Sequence, residues 1–311
     1  MLRLLLSSLL LWHAAGALDD AALEVITSFI ESERGQPFWA VDSSETSFAS
    51  ASALWAAKPG SSAMQADSAT FWRGKEATFD GITGLGSDPS ATAADLQHTA
   101  SLVSRVLPVP TGPGAEQQLL CLNVCSGIGR EAAGGLLPGG CTSLDLVEEQ
   151  GHLMAAALAA LPEGAVGQAH TGAAQHFDFQ QGRLYHAVFI GWCSQFFPDE
   201  QLLQLLRRAS AALAPGGALI IKDNVSLGAD AVYSDQGNHV IRSSAYFNAL
   251  VSMADSSLLR LLEEPCPEWP EGYFPYRAIV WGKGGEWTEE ARERLAAPAS
   301  AESNAGAEGE L

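Results

Sequence analysis

Positive charge is the scarcest property of this chain of 311 residues. Lysine and arginine together number 17 against 36 aspartates and glutamates, which gives a formal net charge of −19. A chain this acidic is poorly suited to grip a nucleic-acid backbone and is better suited to a basic peptide or protein. The same acids would also form a solvated surface that only confers solubility. We therefore expect no nucleic-acid partner, and both interpretations of the acidic surface stay open.

Cysteine is also scarce, and its spacing excludes the common metal and disulfide patterns. The five cysteines form no C-x-x-C pair, and the seven histidines show no H-x-x-x-H spacing. No metal site is therefore predicted. Cys121 and Cys193 lie in apolar segments and are interpreted as small buried side chains. A disulfide framework is not expected.

The two ends of the chain differ in composition from its middle. Met1–Ala17 carries one early arginine, a leucine-rich core and an A-x-A-like Ala15-Gly16-Ala17, which favours a signal peptide. An organelle leader or an uncleaved apolar helix is the alternative, and the segment is short for a membrane span. Residues 18–67 are predicted to be a helical and Ser/Ala-rich extension, in which 43–62 has linker composition. Residues 68–283 would form the main domain, and 284–311 a frayed helix followed by a disordered tail.

The segment that organises the rest of the chain runs from Leu119 to Arg130. An apolar run ending at Val124 is typical of a buried parallel strand. Gly127 and Gly129 then permit a tight turn close to a ligand, and Arg130 opens a helix whose amides face that turn. Strand, glycine turn and helix predict a nucleotide-type cofactor site. The motif G-x-G-x-x-A fits a dinucleotide as well as S-adenosylmethionine.

Later segments favour one of these cofactors. Strands are predicted at 141–146, 166–171 and 185–192, and the acid Asp145 would accept the ribose hydroxyls. A loop is expected over 225–240, and closing strands at 258–262 and 276–281. The sequence L-x-P-G-G before the strand that ends at Asn224 resembles class I S-adenosylmethionine-dependent methyltransferases more than nicotinamide dehydrogenases. That resemblance implies an α/β fold: a Rossmann-like, mostly parallel sheet of seven strands, helices on both faces and an N-terminal helical lid.

Several motifs together are more specific. They are Phe71-Trp72, Thr78-Phe79-Asp80-Gly81, Ser126-Gly127-Ile128-Gly129-Arg130, Asp145, Trp192 with Asp199, and Ile220-Ile221-Lys222-Asp223-Asn224. This combination, spanning about 71–281, resembles the alpha-N-terminal protein methyltransferases, which methylate the free amine of X-Pro-Lys/Arg chain starts. The resemblance implies S-adenosyl-L-methionine as cofactor, a protein N-terminus that is basic at its third position as partner, and a monomer. It also implies cytoplasm and nucleus, whereas the leader suggests the secretory route or an organelle.

The resemblance also implies a set of site residues. Cofactor-binding residues would be Cys125, Gly127, Gly129, Arg130, Asp145, Leu146, Ala174, Gln175 and Gly191. Substrate-binding residues would be Trp72, Trp192, Asn224 and Phe274. The catalytic residues would be Asp235 as base, with His239 behind it, and Asn224, which fixes the first residues of the peptide.

Three positions depart from the family pattern. Asn123 and Cys125 stand where an acid and a glycine are usual, and Phe196 stands where a histidine is expected. Only Asp230 and Asp235 are available where two aspartates should lie near the amine. Two alternatives therefore stay open beside the dehydrogenase: a methyltransferase that acts on a small molecule, and a catalytically inactive relative that serves as a binding module.

Overall fold

The computed structural model describes residues 18–83, 89–108, 118–271, 275–283, 287 and 289–296. The α-helices of this part are α1 (Asp20–Arg34), α2 (Ala51–Ala57), α3 (Ser61–Arg73), α4 (Phe79–Thr83), α5 (Pro89–Val106), α6 (Gly151–Ala160), α7 (Asp199–Ala211), α8 (Ser244–Ala254) and α9 (Glu289–Ala296). A short π-helix, Ala132–Leu136, follows the glycine turn, and two 3-10 helices occupy Ala174–His176 and Ser194–Phe196. Its strands are β1 (Ala40–Asp42), β2 (Ser47–Phe48), β3 (Leu120–Val124), β4 (Ser143–Glu148), β5 (Val166–Thr171), β6 (Tyr185–Gly191), β7 (Leu213–Asn224), β8 (Ala231–Ser234), β9 (His239–Arg242), β10 (Leu258–Pro265) and β11 (Tyr276–Lys283). The predicted leader and Phe274 lie outside the described residues.

The central sheet contains seven strands in the order β10-β11-β7-β6-β3-β4-β5. Strands β5, β4, β3, β6 and β7 run parallel, and β11 is antiparallel to both of its neighbours. The chain order reverses between β3 and β6, so the crevice beyond their carboxyl ends is the expected ligand site. The predicted seven-stranded, mostly parallel α/β sheet is confirmed.

Apolar residues of the inner strands alternate between two cores. On β6, Val188 and Ile190 face the core shared with α7 and α8, whereas Ala187 and Phe189 face the core shared with α5 and α6. This alternation explains why the segment is apolar throughout, since a strand buried on both faces has no side that meets water. The strand therefore fixes its carboxyl end rigidly at the crevice.

A second, smaller sheet joins the N-terminal extension to the main domain. Its order is β2-β1-β8-β9, and β1 pairs in parallel with β8, with Ala40 opposite Ala231. Two expectations were wrong here. The segment predicted as a linker (43–62) contains β2, α2 and the start of α3, and the predicted loop (225–240) is largely the β8–β9 hairpin. Composition misled in the first case, because Leu54 within the Ser/Ala-rich stretch is fully buried.

Helix α1 packs on the same core. Its side chains Leu23, Ile26 and Ile30 are buried together with residues of α8, as the spacing of apolar residues along one helix face requires. Asp19 caps the N-terminus by accepting a hydrogen bond from the Ala22 amide at 2.8 Å. Gly35 ends the helix with a φ of 67°. The extension and the methyltransferase-like domain therefore share one hydrophobic core.

The cysteines behave differently from expectation. Cys121 on β3 and Cys141, two residues before β4, form a disulfide with a Cα–Cα distance of 5.9 Å. Cys121 is fully buried, as interpreted, but its disulfide was not expected. Their spacing of 20 residues carries no disulfide signature, and only the parallel pairing of β3 with β4 brings the two residues together. Cys193 is buried, as expected. Within the described ranges, no helix combines the length and apolar character that a membrane span requires.

Candidate active site

One cavity of about 470 Å³ lies at the point where the strand order reverses. Its floor is formed by the carboxyl ends of β3, β4, β6 and β7. Its cover is formed by side chains of α3 and α4, including Trp72 and Ile82. The predicted N-terminal helical lid is therefore present over the predicted site.

The glycine turn forms one wall of the cavity. Cys125, Gly127 and Gly129 have φ angles of 55°, 55° and 79°. A positive φ is easily adopted by glycine, but it costs other L-residues about 1–2 kcal/mol, so Cys125 is held in an unfavourable conformation. Gly129 does not line the described cavity. A Cβ there would lie 3.1 Å from Ala157, so this glycine lets α6 pack closely against the turn.

One of the acids that line the cavity is Glu148, the last residue of β4. Its Oε2 accepts a hydrogen bond from the Gly127 amide at 2.9 Å, and its Oε1 accepts one from the Gln150 amide at 2.9 Å. Burial raises the pKa of Glu148, although these amide hydrogen bonds act in the opposite direction. An acid at this strand end is placed to accept hydrogen bonds from ribose hydroxyls.

The structure does not place the predicted Asp145 and Leu146 in the cavity. Both side chains are buried, and Asp145 accepts hydrogen bonds from Arg183 and from the Tyr185 hydroxyl, at 2.8 Å for the latter. The prediction failed because β4 extends two residues beyond the predicted end of the strand. The acid at its carboxyl end is therefore Glu148, and the continuation of the apolar run through Val147 was the available signal.

Arg130, Ala174, Gln175 and Gly191, which were predicted to bind the cofactor, line the cavity. The guanidinium of Arg130 pairs with Asp95 and with Glu131. Burial alone would lower the pKa of Arg130, but the charges of Glu131 and Asp95 outweigh it and raise the pKa. The Arg130 side chain is therefore a fixed cation beside the glycine turn.

Aromatic rings enclose the other end of the cavity. Trp72 meets Phe196 edge to face, with ring centroids 5.4 Å apart, and Phe71 stacks on Phe196 at 6.4 Å. Trp192 follows β6 with a φ of 60° and donates its indole N–H to Glu131 Oε1 at 3.2 Å. Asn224 ends β7 and also faces the cavity. Phe71 and Phe196 were not among the predicted substrate residues, although Phe71 belongs to the quoted Phe71-Trp72 motif and Phe196 was named as a departure from the family pattern.

A buried charge network anchors helix α5 under this site. Lys222 is fully buried, and its ammonium group donates to the Asp95 carbonyl oxygen at 2.8 Å and pairs with the Asp95 and Glu131 carboxylates. A buried lysine is tolerated only with such partners. Lys222, the middle residue of Ile220–Asn224, therefore holds α5 against β7. The next residue, Asp223, accepts hydrogen bonds from the Ser194 amide at 2.7 Å and from the Asn224 amide at 2.8 Å.

Asp235 lies outside the described cavity, in the turn of the β8–β9 hairpin. Its carboxylate pairs with Lys58 at 2.7 Å and accepts a hydrogen bond from Ser43 at 2.9 Å. The hydrogen bond from Lys58 is the main cause of a lowered pKa of Asp235, which makes the carboxylate a weaker base. His239 lies closer, with its ring 5.8 Å from that of Phe196, and burial lowers its pKa. Phe196 lines the cavity, whereas His239 is not among the described residues that do.

The fold and the cavity define a class I methyltransferase architecture. The solved structure of a SAM-dependent methyltransferase from Leishmania major superposes with a TM-score of 0.67 at 20% identity, covering 79% of this chain and 96% of that one. A Burkholderia thailandensis N1-methyltransferase gives 0.54 at 13% identity, over 73% and 91% of the two chains. At these identities the likeness concerns the fold alone.

The sequence comparisons identify the family. The model of the AdoMet dependent proline di-methyltransferases matches residues 60–279, and the chain belongs to this family. A rice alpha N-terminal protein methyltransferase 1 is 31% identical over 188 residues, which is 58% of this chain and 59% of the rice protein. The N-terminal Xaa-Pro-Lys N-methyltransferase 1 of Xenopus tropicalis is 28% identical over 61% of this chain and 83% of its own length. The chain thus spans about three fifths of the rice relatives it matches.

The described residues fit the cofactor named in the family description. Gly127 has an open face, since a Cβ there would meet only Ile82 at 3.6 Å. Glu148 offers an acceptor for ribose hydroxyls, and Gln175 a side-chain amide. The cation of Arg130 suits a carboxylate. These four features, the acceptor, the amide, the cation and the glycine turn, line the same cavity, which is large enough for the cofactor.

Proposed function

We propose that this chain methylates the α-amino group of protein N-termini of the X-Pro-Lys/Arg type, with S-adenosyl-L-methionine as donor. The observation that carries the proposal is that one cavity is lined both by the glycine turn with Glu148 and by aromatic rings with Asn224. Family membership supports the donor, and the names of the relatives support the acceptor. The net charge of −19 suits a basic third residue.

Each end of the cavity has a defined task. The cofactor supplies a methyl group bonded to a sulfonium, which an amine lone pair attacks in line. Glu148 and Gln175 would hold the nucleoside half, and Arg130 with the glycine turn the methionine half. The rings of Trp72, Phe196 and Trp192 would confine the peptide, and the Asn224 amide would hydrogen-bond its first residues. Catalysis of this kind depends mainly on positioning the amine.

Removing a proton from the amine requires a separate explanation. The described acids on the cavity wall are Glu131, Glu148 and Glu149. The first two have the partners given above, and Glu149 is the exposed neighbour of Glu148 on the cofactor side. A chain-terminal amine has a pKa of about 8 and is partly neutral at physiological pH. We infer that the site binds the neutral amine, because Glu131, the acid beside the Trp192 ring, is already paired with Arg130 and Lys222.

The test is mass spectrometry of a Ser-Pro-Lys-starting peptide incubated with the full chain and S-adenosyl-L-methionine. The proposal expects mass gains of one or two methyl groups on the α-amine, whereas the same peptide with an acetylated N-terminus gains none. Methylation of the lysine side chain, or turnover of small amines without turnover of the peptide, would contradict it.

One observation favours a second candidate, a cofactor-binding relative without turnover. Phe196 occupies the place where a histidine is expected, and the carboxylate of Asp235 is paired with Lys58 away from the cavity. Calorimetric binding of S-adenosylhomocysteine and of the peptide, combined with an unchanged peptide mass up to pH 9, would favour this candidate over the enzyme.

A further inference from the structure

Two free cysteines lie side by side at the floor of the cavity. Cys125 follows β3 directly and Cys193 lies two residues beyond β6, and these strands are parallel neighbours in which Val124 pairs with Ile190. Both cysteines line the cavity. The Cys193 thiol lowers the pKa of the Cys125 thiol, and the Cys125 thiol raises that of Cys193, as expected of adjacent side chains. The third free cysteine, Cys266, is buried and donates to the Ala94 carbonyl oxygen instead.

We propose that Cys125 and Cys193 form a reversible, peroxide-sensitive dithiol that closes the cofactor cavity by becoming a disulfide. The inference goes beyond the methyl-transfer function, and it would hold for an inactive relative as well. It uses a residue by which this chain departs from the family pattern, since a glycine is usual at the position of Cys125. A thiol there places a second sulfur beside Cys193 at the edge of the glycine turn.

The exposure of the two cysteines determines which of them is oxidised first. Cys125 is partly exposed, whereas Cys193 is buried, so an oxidant that enters the cavity meets Cys125 first. The neighbouring Cys193 thiol lowers the pKa of the Cys125 thiol, but burial and the nearby acids Glu148 and Asp223 outweigh it and raise the pKa. The thiolate is the reacting form, so we expect slow oxidation that accelerates with pH.

The chemistry balances with hydrogen peroxide as oxidant. The Cys125 thiolate attacks one peroxide oxygen, the O–O bond breaks, and Cys125 sulfenic acid and water result once the hydroxide recovers the proton. The Cys193 sulfur then attacks the sulfenic sulfur, an S–S bond forms, the S–OH bond breaks, and a second water leaves. The two thiols lose two electrons and two protons in total, and the peroxide is reduced to two waters.

Closure would act on the cofactor through the turn. The new bond would tie Cys125, which immediately precedes the turn, to the segment after β6, and it would draw the turn away from the position in which Gly127 donates to Glu148. We expect binding of S-adenosylhomocysteine to weaken at least about tenfold. Conversely, bound S-adenosylhomocysteine should cover Cys125 and slow its oxidation.

The experiment treats the full chain with hydrogen peroxide, blocks the remaining thiols with iodoacetamide and maps the peptides by mass spectrometry. The expected result is a peptide pair joined through Cys125 and Cys193, reversed by dithiothreitol and diminished by S-adenosylhomocysteine. Cys266→Ser should behave like the wild-type chain. Cys193→Ser should stop at a Cys125 sulfenic acid that dimedone traps.

The proposal would be overturned if iodoacetamide still alkylated both thiols after the peroxide treatment. Oxidation of a methionine-containing peptide of the same chain is the control that the peroxide was active. A disulfide that joins Cys125 to Cys266, or to a second chain, would also overturn the proposal. The peptide mapping that tests the dithiol needs no methyl acceptor. A chain that forms the disulfide but does not methylate the peptide would therefore refute the proposed function and leave the dithiol intact.

Discussion

Glu148 and Asp145 lie three residues apart on one strand, and their surroundings distinguish an acid at the cavity from an acid buried in the sheet. Glu148 faces the cavity and accepts two backbone amides, whereas Asp145 is buried against Arg183 and Tyr185. Successive side chains of a strand alternate in direction, so residues three apart point to opposite faces. The difference between them makes a matched pair of variants possible.

We expect Glu148→Gln to weaken S-adenosylhomocysteine binding by about 1.5–3 kcal/mol, because hydrogen bonds to a charged acceptor contribute about that much. Isothermal titration calorimetry measures the change directly. Asp145→Asn is the control: it should lower the free energy of unfolding while leaving the affinity within about threefold. A larger loss of affinity for Asp145→Asn than for Glu148→Gln would return the ribose site to the residue predicted from the sequence.

Phe196 permits a test of how the amine loses its proton. Without a base in the cavity, the apparent kcat/KM for a Ser-Pro-Lys peptide should rise about tenfold per pH unit below the amine pKa of about 8 and level off above it. Phe196→His would place an imidazole at the aromatic end of the cavity. Burial lowers the pKa of the neighbouring His239, so the introduced imidazole should be neutral and able to accept a proton at pH 7.

The expected result for Phe196→His is a gain in kcat of at least about tenfold at pH 7, which shrinks at pH 9. Initial rates by mass spectrometry at the two pH values measure it, and Phe196→Leu serves as the control for the lost ring. A steep pH dependence that persists unchanged in Phe196→His would indicate that the introduced imidazole does not reach the amine.

At the scale of elements, helix α1 connects the N-terminal extension to the main domain. Ile26 is fully buried on its inner face, and Glu24 is exposed on the outer one. We expect Ile26→Ala to lower the free energy of unfolding by about 2–5 kcal/mol, because it leaves a cavity in the shared core. Glu24→Ala should change it by no more than about 0.5 kcal/mol.

Denaturant unfolding followed by tryptophan fluorescence measures both variants. One cooperative transition that shifts as a whole in Ile26→Ala is expected for an extension that shares the core. An early separate transition, with the main transition unmoved, would show that residues 18–67 unfold independently of the main domain.

The elements show where prediction from sequence succeeds and where it fails. The apolar runs of β6 and of the second half of β7 identified their strands because burial on both faces leaves a continuous pattern. The L-x-P-G-G segment predicted as a turn before β7 forms the start of that strand, which begins at Leu213. The end of β4 was misplaced by two residues, and that small error moved the predicted acid from Glu148 to Asp145. The hairpin β8–β9 was missed because it is stabilised by pairing with β1, a contact between segments 191 residues apart. Long-range pairing of this kind leaves no local signal.

The residues of the candidate site also divide into those that could be predicted from the sequence and those that could not. Cys125, Gly127, Arg130, Gln175 and Trp192 follow strand ends that the pattern located, so their position at one sheet edge could be predicted. Asp235 was chosen from a segment whose fold was unknown, and Lys58, its partner, lies in the stretch taken for a linker. The disulfide between Cys121 and Cys141 likewise depends on strand pairing. Such assignments require the tertiary structure.

At the scale of the whole molecule, the net charge of −19 predicts how binding of a basic peptide depends on salt. The Debye length is about 10 Å at 0.1 M salt and about 3 Å at 1 M, so added salt screens attraction between exposed acids and a third-position lysine. We expect KM for a Ser-Pro-Lys peptide to rise about three- to tenfold between about 0.05 M and about 0.5 M NaCl, with kcat nearly constant.

The matched control is a Ser-Pro-Gln peptide, whose third residue carries no charge. Its KM should be higher at low salt and nearly independent of NaCl, so that the two peptides converge at high salt. This convergence would assign the acidic surface to peptide recognition, because a surface that only confers solubility does not discriminate between the two third residues. Equal salt dependence for both peptides would instead assign the effect to the N-terminal amine or to the fold, and the preference for a basic third residue would then lose its electrostatic basis.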